Sequence, residues 1–356
     1  MKPARDTIFN PLVALALCTA GGALFAWLRT PLPWMIGPLV VMAVFNFSGA
    51  RLRPPPGGRQ VGQVIIGAAL GLYFTPAVAH QVASYWSFLL LAAVAAIGIA
   101  FACAWFISSI TDTDRTTAFF ASVPGGAAEM AVLAEQFGAR ADRVAVAQSM
   151  RIMAVVIVVP FVLSYSGVHG TDVYTPLTAT LDWSRLAILM VIAGAGGAVL
   201  ALAHAPNAFM LGALFSVIGL TVSEVQFSVM PPLVSNLGQL LIGCALGGRF
   251  EHGFVDKMPA FVVAALTSIL LAIALAASIG AGLAWAYDLP LASVALATAP
   301  GGIAEMCITA KVLQLGVPLV TAAHVTRVIV LVTGTGSLVR GVRALKEKFV
   351  KATTVQ

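Results

Sequence analysis

Two glutamates, Glu129 and Glu305, stand inside strongly apolar stretches, each three residues beyond a Pro-Gly-Gly triplet: S-V-P-G-G-A-A-E-M from Ser122 and T-A-P-G-G-I-A-E-M from Thr298. Two arginines, Arg151 and Arg327, lie equally deep in the apolar segments that follow. Gln148 and His324 precede them by three residues, and so share their helix faces. A carboxylate at membrane depth is costly, and function is its default reading; a first-turn glutamate that merely stabilises a helix N-terminus is the competing one. Proton or cation coupling is the chemistry a glutamate could perform there. Arginine's planar fork suits an anion such as a carboxylate, or an ion pair with the neighbouring glutamate that locks segment to segment. His324 could titrate near neutral pH or serve as a satisfied interior donor.

Proline lacks an N–H and favours a first helical turn, while glycine permits close approach of backbone or ligand. Each triplet Pro124-Gly125-Gly126 and Pro300-Gly301-Gly302 is therefore expected to end one short helix and begin another, with free amides and the positive dipole end at the break. Non-helical backbone at that depth survives only against protein or a water-filled cavity.

The elements around these residues repeat. Pro124 and Pro300 are 176 residues apart (300 − 124), as are Arg151 and Arg327. G-Q-V-I-I-G-A-A-L-G from Gly62 recurs as G-Q-L-L-I-G-C-A-L-G from Gly238, again at 176 (238 − 62). The glycines there are spaced for small-xxx-small helix contacts, read as packing against the Pro-Gly-Gly segments; Gln63 and Gln239 are the polar candidates within them. Asn236, Met130 and Met306 carry a weaker signal. The expectation is two homologous membrane repeats, residues 1–175 and 176–356.

Charged residues make up 10% of the chain and apolar ones 60%, with a mean hydropathy of +0.96. That composition excludes a soluble protein and implies an all-α polytopic membrane protein. Apolar segments fall near 11–28, 33–49, 60–75, 84–110, 116–138 and 144–166, then 185–203, 207–223, 232–249, 259–286, 289–313 and 317–338. Twelve crossings, with mid-span Arg151 and Arg327 set aside, leave 12 Lys/Arg inside and 6 outside. Returning each Pro-Gly-Gly segment to its side of entry gives 15 inside and 3 outside: Arg29, Arg185 and Lys311. The positive-inside rule thus prefers ten crossings, inverted halves and two re-entrant hairpins, although a broken crossing helix fits the segment lengths equally well. Lys2 and Arg5 precede an apolar run read as an uncleaved first helix. Both termini are then cytoplasmic, the C-terminal one with a short basic tail (Arg340, Arg343, Lys346, Lys348, Lys351).

The four cysteines all fall in apolar segments without CxxC pairing, and the histidines lack ligand spacing, so no metal, cofactor or disulfide is expected. No stretch outside the membrane is long enough for a nucleic-acid-binding module.

The duplicated P-G-G-x-A-E-M with G-Q-x-x-I-G-x-A-L-G resembles the AbrB family of bacterial inner-membrane proteins, over nearly the whole chain. These differ from the small soluble DNA-binding transition-state regulators that share the name. The resemblance implies an inner-membrane location. Family labels include a membrane regulator of gene expression and an ammonia monooxygenase; the second finds no metal- or cofactor-ligating pattern here, and an enzyme is not expected. The expected function is secondary transport of a small, anionic solute coupled to a proton or sodium. A membrane sensor that affects gene expression indirectly is the alternative. The partners expected are the bilayer, the solute and the coupling ion; oligomeric state is left open.

Overall fold

A computed structural model describes residues 5–49, 52–167, 170, 180–225, 227–250, 258–331 and 333–334, without the side chains of 5–10 and 127–129. Its described regular structure is helical throughout. The first half contains α1 (Arg5–Trp27), α2 (Pro33–Phe47), α3 (Gly58–Gly71), α4 (Pro76–Ser84), α5 (Trp86–Ile110), α6 (Arg115–Ser122), α7 (Ala127–Gln136) and α8 (Ala141–Tyr165). The second contains α9 (Trp183–Leu202), α10 (Ala208–Val222), α11 (Pro232–Gly247), α12 (Pro259–Tyr287), α13 (Leu291–Thr298) and α14 (Ile303–Leu313), followed by α15 (Val317–Leu331).

Each apolar segment becomes a helix, and the two that carry Pro-Gly-Gly become two helices each. The helix the sequence reading leaves out is α4. Thr75 caps it by accepting from the Val78 amide at 3.3 Å, and Pro76 opens its first turn.

Large apolar side chains cover the outside: Trp27, Trp105, Leu202 and Trp285 are between 72% and 89% exposed. An exterior of this kind is compatible with lipid rather than water. Four helices, α5, α8, α9 and α12, are long and apolar enough to cross a membrane alone, and α3 with α4 would make a fifth, bent by 91°. The other segments expected to cross are shorter. At 15 residues each, α2 and α10 reach only ~22 Å against a hydrocarbon core of ~30 Å.

The helices sort into two groups. In one, α1 packs on α2 and α9 on α10, while α2 also packs on α11, α10 on α3, and α3 crosses α11. In the other, α5 packs on α12, α6 on α5 and α8, α13 on α12, and α12 on α8. The repeated glycines serve the first group. A Cβ on Gly62 would lie 2.8 Å from the Gly238 carbonyl oxygen, and one on Gly71 would lie 2.7 Å from Val217 of α10. Gly67 likewise backs onto α10, and Gly243 and Gly247 onto α2. These stripes therefore hold helices to each other and do not pack against the Pro-Gly-Gly segments, which corrects the sequence expectation. The two groups meet where α8 and α14 touch α2, α3 and α11.

Candidate functional site

The first break is built from both ends. Asp114 caps α6 by accepting from the Thr117 amide at 2.8 Å. Pro124 disfavours helical backbone at the preceding residue, and Val123 is extended (φ −62, ψ 126). Gly126 then caps α7, and Gly302 caps α14, both with extended backbone and no side chain to offer the first-turn amides. The first break is a hairpin. The Arg140 amide beyond α7 donates to Thr117 Oγ1 at the start of α6 (2.9 Å), and the Phe120 and Phe137 rings lie 5.7 Å apart. The chain thus returns to the end from which it entered, as a re-entrant segment must.

Arg151 and Arg327 are each 4% exposed, and the hydrogen bonds described for them go to backbone carbonyls. Arg151 donates through Nη1 to the Val123 carbonyl (2.8 Å) and through Nη2 to that of Gly125 (3.1 Å). Arg327 donates to the Ala299 carbonyl at 2.6 Å and to that of Gly301. Each guanidinium bridges the carbonyls on both sides of the proline. The Nε atom of each is buried without a described hydrogen-bond partner. Gln148 Nε2 donates to the carbonyls of Phe120 (2.8 Å) and Val123 (2.7 Å), and His324 Nε2 lies 2.9 Å from the Leu296 carbonyl. Both side chains therefore tie the ends of α6 and α13 rather than extend a polar surface.

Glu305 is 6% exposed, and no ion pair to it is found among the described residues. Its Oε2 occupies the space that a Cβ on Gly302 would need. That keeps a carboxylate against the N-terminus of α14, where the dipole favours it. Glu129 sits in the first turn of α7, and its side chain lies outside the described residues. Met130 and Met306, weak signals in the sequence, have matching jobs: a Cβ on Gly125 would lie 2.6 Å from Met130 Cγ, and one on Gly301 would lie 2.7 Å from Met306 Cγ. The methionine that ends each motif fills the space left by its glycine.

Both breaks face one cavity, with about 80 Å³ open to the centres of water-sized molecules. Pro124, Gly125, Gly126, Gly301, Gly302, Glu305, Arg151, Arg327 and Gln63 line it. Pro300, Gln148, His324 and Gln239 are not part of its wall, although all four are buried. Among the wall residues not singled out from the sequence are Arg59 on the first turn of α3, Pro206 and Asn207 before α10, and Arg249 after α11. Gln63 Nε2 faces Asn207 Oδ1 at 3.5 Å. The signal for Arg59 was its place four residues before Gln63, one helical turn away. As loop-end charges, Arg59 and Arg249 read as topology anchors.

The chain matches the family described as "Transition state regulatory protein AbrB" over residues 34–343. It belongs to the AbrB family. Two relatives share this length. "Uncharacterized protein YhjN" of Bacillus subtilis (strain 168) is 25% identical over 357 residues, covering 92% of this chain and 91% of that protein. "Putative regulator AbrB" of Escherichia coli (strain K12) is 25% identical over 321 residues, covering 87% and 90%. No solved structure matches. As a family member, the chain is a helical protein with several membrane-like apolar helices, and the family name itself specifies no chemistry at the cavity.

Proposed function

We propose that this AbrB-family chain is a secondary transporter of a small anionic solute. It would sit in the bacterial inner membrane with both termini cytoplasmic, built from two inverted halves (1–175 and 176–356). The observation that carries this reading is that both Pro-Gly-Gly breaks open onto one cavity lying between two helix groups. Helix N-termini converging on a central cavity between repeats is a recurring transporter geometry, and it favours anionic groups. The pairing of α2 with α11 and of α10 with α3 is what a two-fold exchange of halves would produce.

The coupling ion is proposed to be a proton. Sodium in such sites is ligated by unwound backbone carbonyls, and here those carbonyls are already taken by guanidinium groups. Among the described wall residues, Glu305 is the buried carboxylate able to carry a charge in and out of the cavity. No enzymatic step is assigned to these residues.

The test is uptake of labelled carboxylates, phosphate, amino acids and amines into proteoliposomes. The expected result is anion accumulation driven by a pH gradient and unchanged when sodium is replaced. Glu305→Gln should lose the pH-driven accumulation and retain solute exchange. Failure of folded wild-type protein to move any member of the panel would overturn the reading. The name of the Escherichia coli relative favours a second one, a sensor acting on gene expression without transport. Under it, a transport-dead variant would still rescue the expression phenotype of a deletion strain.

A further inference from the structure

The cavity wall assigns different work to its arginines. Arg151 and Arg327 each commit both terminal nitrogens to backbone carbonyls of the breaks. They hold the breaks and supply positive potential, with each Nε left buried beside these bonds without a described partner. Arg59 and Arg249 are partly exposed and line the same cavity from the ends of α3 and α11, beside Gln63 and Asn207. The described wall has four arginines against one carboxylate, Glu305. Even with Glu129 of the facing break counted beside it, two positive charges are in excess, which a doubly charged anion balances and a single negative charge does not. Size narrows the class. At about 10–15 Å³ per water-sized group, a cavity of about 80 Å³ holds roughly five to eight non-hydrogen atoms. That is the size of inorganic phosphate or a dicarboxylate of two to four carbons.

We infer that the cavity binds a small dianion of this kind, and that Arg59 and Arg249, with Gln63 and Asn207, are the side chains that bind it. The inference rests on the transporter reading for its biological use, but binding can be measured without flux. Planar guanidinium groups suit both carboxylate and phosphate through paired N–H donors. A lipid phosphate offers the same chemistry at a membrane surface, so the experiment must separate the two sources.

The experiment is calorimetric titration of purified protein in neutral detergent with succinate, inorganic phosphate, acetate and tetramethylammonium, repeated with anionic phospholipid added. Succinate or phosphate should bind at least about tenfold more tightly than acetate, and tetramethylammonium should not bind. Arg59→Gln and Arg249→Gln should each weaken dianion binding by about tenfold or more, the scale of a lost charge-assisted hydrogen bond. Arg59→Lys should recover part of the loss, and unliganded thermal unfolding should report that each variant is folded. The inference is overturned if folded variants bind within twofold of wild type, if acetate binds as well as succinate, or if anionic lipid binds and no soluble dianion does. Dianion binding without any uptake would instead count against transport and leave this assignment standing.

Discussion

A glutamine and a histidine do the same task at positions 148 and 324. Each sends a side-chain nitrogen to the carbonyl four residues before the proline, Phe120 in one case and Leu296 in the other. Neither side chain has any exposure; no other donor to the Phe120 carbonyl is described, while the Leu296 carbonyl also accepts the long 3.3 Å bond from the Ala299 amide and would keep only that. His324→Gln should therefore be tolerated, with unfolding stability in detergent within about 1 kcal/mol of wild type, because glutamine already serves the matching position. His324→Leu should cost about 1–3 kcal/mol. Equal stability of the two variants would show that the Leu296 contact is not what holds His324. The repeat made the pairing of positions legible in the sequence; it could not say which partners they choose. Arginine beside a conspicuous glutamate invites an ion pair, yet among the described residues Arg327 forms none with Glu305, and both arginines donate to carbonyls freed by the proline. Those carbonyls exist as partners only once the break has formed.

The elements around the breaks are short because proline and glycine end them, and the direction of the second arm decides what kind of segment results. Helix lengths alone left a hairpin and a broken crossing open. The deciding contact joins Thr117 to Arg140, 23 residues apart in sequence, and no local pattern announces it. Surface labelling follows from the hairpin. Arg115 and Gln136 are both exposed at its two ends, so single cysteines there should react with an impermeant thiol reagent from the same side of the membrane. Labelling from opposite sides would convert the hairpin into a crossing helix. The missed helix α4 had a readable signal in Thr75-Pro76, a cap residue followed by a first-turn proline. An amphipathic nine-residue helix does not stand out between two strongly apolar segments.

At the scale of the molecule, α3 links the cavity, whose wall it joins through Arg59 and Gln63, to a second contact past its C-terminus. Arg59 stands on its first turn, partly exposed, and Tyr73 lies just past its C-terminus. Fourteen residues of helix separate these ends by ~21 Å. Past the C-terminus of α3, Lys311 of α14 sits 6.0 Å from the centre of the Tyr73 ring and 3.5 Å from Ser235 Oγ of α11. This contact joins the group that contains α3 and α11 to α14, which carries Glu305. Alternating access by rocking of the two groups would have to open it while closing the Arg59 end. Tyr73→Cys with Lys311→Cys, bridged by a short bifunctional thiol reagent, should hold the present arrangement. Uptake into proteoliposomes should then stop and return on reduction of a cleavable bridge, while succinate or phosphate binding beside Arg59 persists. Full cross-linking with undiminished uptake would mean that the solute does not pass between the two groups, and rocking would be excluded even if transport itself stands.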